Sequence, residues 1–150
     1  MEYKNFRVKS LIRSFRDLEV YQKTIQLSEE LTSLKFIKKQ EISSLTEKVP
    51  KLIAEAYGDR FDSRELAHNK LTEAITLIAN IITKIDLFRQ RAADNKEHKE
   101  VLDKFLTKYQ TQKRKILNLR KAWDRVFCKR DSKWKNQYHQ NRTTIRYLVT

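Results

Sequence analysis

The sequence predicts an all-α protein, an up-down-up-down antiparallel four-helix bundle with a long basic fourth helix and a C-terminal tail. Three observations predict it. One glycine and one proline in 150 residues are fewer turn residues than a sheet protein of this size needs. Apolar residues recur three and four positions apart in four segments, the period of one helix face. The links between those segments are short, and short links set neighbouring helices antiparallel. The length suits a single domain that buries a core without staples.

Residues 1–13 are basic and loosely periodic and read as an N-terminal arm, 14–131 as the bundle, and 132–150 as a basic, aromatic tail. The first helix is expected over 17–34, with Leu18, Tyr21, Ile25, Ser28, Leu31 and Leu34 on one face. Ser14 is placed to cap it, and Asp17, three positions on, sits where a capping-box acid belongs. The second helix is expected over 39–57, with Ile42, Leu45, Val49, Leu52, Ile53 and Ala56 inward. Pro50 falls inside that pattern and predicts a kink or interruption near 46–48, or a break into two shorter helices. Gly58, the only glycine, is placed to stop the helix in the left-handed conformation.

The third helix carries the best-marked start: Asp62 as cap, Glu65 three residues later, and Phe61 placed to pack on Leu66 as a hydrophobic staple. It runs to about Arg91 on the seam Leu71, Ala74, Ile78, Ile81, Ile85 and Phe88. Ile75, Leu77 and Ile82 widen that seam beyond what one neighbouring helix covers, which marks them as candidate oligomer-interface residues facing another helix or another subunit. Residues 92–95 form a polar link, with Asp94 as cap and Glu97 completing the box. The fourth helix, Lys96–Arg130, follows the heptad seam Leu102, Phe105, Tyr109, Gln112, Ile116, Leu119, Trp123 and Val126, with one polar interruption at Gln112. At 1.5 Å per residue it is roughly 50 Å long. The β-branched and aromatic stretch 143–150 is expected as a short strand or as packing on the bundle.

The net charge of +14 is segregated. Residues 104–150 hold 14 Lys/Arg against Asp124 and Asp131, whereas residues 1–103 hold 19 against 17 Asp/Glu. Such asymmetry fits a polyanionic partner; a solvated helix face with a basic tail is the plainer alternative. The candidate nucleic-acid-binding residues are Lys104, Lys108, Lys113, Arg114, Lys115, Arg120, Lys121, Arg125, Lys129 and Arg130, followed by Lys133, Trp134 and Lys135. Trp134, Tyr138 and Tyr147 are placed to stack on unpaired bases or, equally, to pack on the bundle.

Other chemistry is poorly supported. One glycine rules out a Gly-rich phosphate loop, and His68, His98 and His139 are scattered. Glu65 and His68 have the spacing of a helical metal pair, but a di-iron bundle needs that motif twice. No enzyme, metal or cofactor is therefore expected. Cys128 is the only cysteine, which excludes an intrachain disulfide and suggests a reducing compartment. The absence of a long apolar run predicts no membrane span, and a cytoplasmic location is expected.

Two segments carry a family resemblance. Phe15-Arg16-Asp17-Leu18-Glu19-Val20-Tyr21-Gln22-Lys23 resembles the opening of small four-helix bundle proteins first found encoded in intervening sequences of bacterial 23S ribosomal RNA genes. Val49-Pro50-Lys51-Leu52-Ile53-Ala54-Glu55-Ala56-Tyr57-Gly58 resembles their second-helix signature, usually Asn-Ile-Ala-Glu-Gly, from which Leu52 and Ala56 depart. Leu71-Thr72-Glu73-Ala74 resembles their leucine–alanine step in helix three, so the likeness spans about residues 14–91. The cationic fourth helix with Arg120-Lys121-Ala122-Trp123 is more similar to the accessory variability determinants of diversity-generating retroelements, although their common Gly-Gly-Trp ending is missing. That branch implies a homopentameric barrel, RNA or DNA binding, and a reverse transcriptase as partner. The rivals are an intervening-sequence bundle of undefined role and an adaptor for an acidic protein.

Overall fold

The computed structural model of the chain describes residues 14–130. Among them are a 3-10 turn at Phe15–Asp17 and four helices: α1 (Glu19–Thr32), α2 (Lys39–Asp59), α3 (Arg64–Arg91) and α4 (Lys96–Arg130). No strand occurs among the described residues. Neighbours touch in cyclic order, α1 with α2, α2 with α3, α3 with α4, and α4 with α1. The four helices thus form a square bundle around one core. Ile42, Val49 and Ile53 of α2 meet Leu71, Ile78, Ile81 and Ile85 of α3 there, with Leu31, Leu102 and Ile116 closing it; all are fully buried.

Ion pairs fix the antiparallel register. Arg89 near the end of α3 binds Asp103 near the start of α4 at 2.6 Å, while Arg64 at the start of α3 lies 3.9 Å from Asp124 far along α4. Between α2 and α3, Lys70 binds Asp59 at 2.6 Å and Arg91 binds Glu41 at 2.9 Å. The Arg91 hydrogen bond holds the Glu41 carboxyl below its ordinary pKa, and the Asp59 bond holds the Lys70 ammonium above its own. His98 in the first turn of α4 stacks at 3.8 Å on Phe36 in the α1–α2 link.

The seams of α3 and α4 are as the spacing predicts, except at the end of α4. Leu71, Ala74, Ile78, Ile81, Ile85 and Phe88 are buried, as are Leu102, Phe105, Tyr109, Gln112 and Ile116. Leu119 and Trp123 are only half-buried, and Val126 is 57% exposed, because α4 outruns its shorter neighbours. In α1 the buried face is turned: Thr24 and Leu27 join Leu18, Ser28 and Leu31, while Tyr21, Ile25 and Leu34 are half-buried. The Ser14–Asp17 capping box forms, but it caps the 3-10 turn; α1 starts later, at Glu19.

Four local expectations are corrected. α2 runs unbroken through Pro50, although a proline leaves the Thr46 carbonyl without its helical donor. Pro50 and Thr46 are both buried, so core packing holds the segment helical. Gly58 does not cap α2: it lies within the helix, and no described residue has positive φ. The chain leaves through Arg60 in a right-handed conformation, its guanidinium donating to the Tyr57 carbonyl, so that a left-handed glycine is not required. The cap of α3 is Ser63 rather than Asp62, its hydroxyl accepting from the Leu66 N–H at 3.3 Å. That shift spoils the staple, and Phe61 and Leu66 stay 63% and 50% exposed. Likewise Asn95, not Asp94, caps α4, its side-chain oxygen accepting from the His98 N–H at 3.1 Å.

The wide seam of α3 also has an internal cause. Ile75 and Ile82 follow His68 and Thr72 along the edge bonded to α4, which continues to Arg89. Leu77 lies seven residues from Lys70 and fourteen before Arg91, on the edge bonded to α2. All three are half-buried against the core. They occupy opposite edges of the helix and do not form one patch.

Candidate nucleic-acid interface

A 35-residue helix with one apolar seam must place its cations around the remaining circumference. The structure sorts them into three stripes. Lys104, Lys108 and Lys115, spaced four and seven apart, follow the edge toward α1. There Lys108 lies 3.7 Å from Glu30, and Lys115 donates to Glu19 at 3.1 Å. Lys113 and Arg120, seven apart, follow the edge toward α3, where Arg120 donates to the Thr72 hydroxyl at 2.8 Å. Arg114, Lys121 and Arg125, spaced seven and four, point away from the bundle; all three are exposed and have no ion-pair partner among the described residues.

The single acid between Lys104 and Arg130 is Asp124. It turns toward α3, where His68 Nδ1 lies 3.0 Å from one carboxylate oxygen and Arg64 Nε 3.9 Å from the other. Its charge is therefore answered within the bundle, leaving the outward stripe unopposed. Lys129 and Arg130 belong to α4, but their side chains lie outside the described residues, as do Lys133, Trp134, Lys135 and the stretch 143–150.

Sequence reasoning missed the contribution of the α2–α3 junction. Arg60 spans two rings there, its guanidinium 3.5 Å from the Tyr57 centroid and 4.1 Å from that of Phe61. Tyr57 neighbours Trp123 of α4 at 6.5 Å between centroids, so Arg60, Phe61 and Arg64 share the cationic end of the bundle with α4. The detectable signal was Arg60-Phe61 directly after a helix end, a cation and an aromatic side by side where the chain is exposed.

A second polar feature lies between α1 and α4. A cleft of about 220 Å³ runs there, bordered by Lys23, Leu27, Glu30, Lys108, Gln112 and Lys115. The Gln112 side-chain oxygen and the Tyr109 hydroxyl are buried without a hydrogen-bond partner. Burial, and secondarily the Glu30 charge, raise the Tyr109 pKa far above its ordinary value, so this hydroxyl stays neutral. Among the described residues no three metal-ligating side chains cluster, and His68 pairs with Asp124, not with Glu65. No helix there is long and apolar enough to cross a membrane. Comparison with protein-family models, curated proteins and solved structures finds no match to this chain.

Proposed function

We propose that this chain is a non-enzymatic nucleic-acid-binding accessory protein that partners a reverse transcriptase in a diversity-generating retroelement, during mutagenic copying of template RNA into cDNA. The observation that carries nucleic-acid binding is the unopposed stripe Arg114, Lys121 and Arg125, together with the inward pairing of Asp124. Phosphate contacts of this kind are sequence-independent and release counterions. The polymerase partner and a homopentameric assembly rest on the resemblance in residues 14–91 and in the fourth helix. A ring would repeat the stripe around its axis and multiply weak contacts.

Phe61, Leu66 and Val126 are exposed apolar residues, and Arg60 places a cation beside the first. They favour a second reading, in which this surface meets an acidic protein partner.

One experiment separates the two. The chain is titrated with RNA, DNA and a retroelement reverse transcriptase, over a range of salt. The proposal expects nucleic-acid affinity that falls steeply with salt and a complex with the polymerase. Tight binding to an acidic protein with no nucleic-acid binding would replace it with the adaptor reading. Native mass measurement tests the pentamer, and a monomer at micromolar concentration would end that part. Ile82→Glu is unsuited to this purpose, because Ile82 packs on its own bundle.

A further inference from the structure

We propose that the cleft between α1 and α4 takes one unpaired base of a single-stranded nucleic acid, with Gln112 reading its edge. This rests on the nucleic-acid reading above and names the feature of the strand that the basic helix would select.

Gln112 breaks an otherwise apolar and aromatic run of the α4 seam, yet it is only 4% exposed. Its side-chain oxygen has no partner, and a buried amide left unsatisfied opposes folding. A half-turn about the terminal torsion exchanges the two ends of the amide, so it can offer a donor or an acceptor. The cleft that it borders measures about 220 Å³, below the ~300–1,000 Å³ of ordinary small-molecule pockets, and so suits one planar ring rather than a whole nucleotide.

The lining matches that occupant. Leu27 and the lysine stems give apolar surface for a ring face, and Gln112 gives a hydrogen-bonding edge. Lys108 and Lys115 are paired with Glu30 and Glu19, which leaves Lys23 as the rim cation for a phosphate beside an inserted base. Lys108 and Lys115 belong to the α1-facing stripe of the interface already described, so one strand can follow the helix and place a base in the cleft. A duplex keeps its bases stacked and paired and cannot reach a buried amide in this way.

The test uses the full chain and three probes: a single strand, a duplex of the same sequence, and the same single strand carrying abasic sites. Gln112→Leu removes the amide at similar size, and Gln26→Trp places a ring at the exposed rim without touching the core. Each variant is expected to lose about tenfold in single-strand affinity while holding duplex affinity, and the abasic strand should bind the unaltered chain equally weakly. Unchanged single-strand binding by Gln112→Leu would overturn the inference and leave the basic-helix reading intact, the buried amide then being served by water. Should Gln112→Leu fail to fold, Gln26→Trp decides the same comparison. An unaltered chain that binds neither strand nor duplex would overturn both.

Discussion

His68 on α3 holds Asp124 on α4, ring nitrogen to carboxylate oxygen at 3.0 Å across 56 residues of sequence. This pairing withdraws the only acid from the cationic part of α4. Both side chains are partly exposed, so the pair contributes at most about 1 kcal/mol to stability. Its larger effect is on the field outside the bundle. Because that charge is already answered by His68 and Arg64, Asp124→Asn should leave nucleic-acid binding nearly unchanged at low and at high salt, and barely move the unfolding midpoint. Fluorescence anisotropy at two salt concentrations checks this, and a several-fold gain at low salt would mean that the carboxylate still opposes the stripe.

The outward stripe makes a sharper prediction. Replacing Arg114, Lys121 and Arg125 with Gln should weaken RNA and DNA binding together. The logarithmic salt slope should flatten by about 0.9 on duplex, or about 0.7 on single strands, for each phosphate that the variant no longer neutralises. Folding should be unaffected, since none of the three has an ion-pair partner among the described residues. Replacing Lys113, Arg114 and Lys115 should cost less binding, because these consecutive residues point to three sides of the helix and Lys115 is engaged with Glu19. Equal weakening by the two triple variants would refute the stripe.

The core should respond as a close-packed interior does. Ile78 in α3 and Ile116 in α4 are fully buried. Replacing either with Ala should destabilise by about 2–5 kcal/mol, through the forfeited transfer energy and an unfilled cavity. Denaturant unfolding measures this, and a midpoint that stays put for both would mean the bundle is packed differently.

Gly58 makes a prediction opposite to the one its isolation in the sequence suggests. Its backbone is helical, and a Cβ built there meets nothing within 4 Å. Gly58→Ala should therefore stabilise the protein by about 0.4–1 kcal/mol, mostly by restricting the unfolded chain. Loss of stability in thermal unfolding would restore the left-handed cap.

The sequence by itself determined the four helices, the limits of α4 and most of the buried seams of α3 and α4, because helical periodicity is a local property that long amphipathic segments state repeatedly. It also located the excess of positive charge. Tertiary structure decided what each end and each charge is used for. Whether Gly58 or Arg60 completes α2 depends on where the chain must go next, and Pro50 stays helical because it is buried among neighbours. The half-exposed Trp123 and exposed Val126 follow from the unequal lengths of the helices, which no single seam records. Likewise, ten cations between Lys104 and Arg130 are alike on paper. Only the positions of Glu19, Glu30 and Thr72 on other helices engage Lys115, Lys108 and Arg120, leaving Arg114, Lys121 and Arg125 pointing into solvent. Pairing across a bundle depends on groups distant in sequence, and they meet only once the chain has folded.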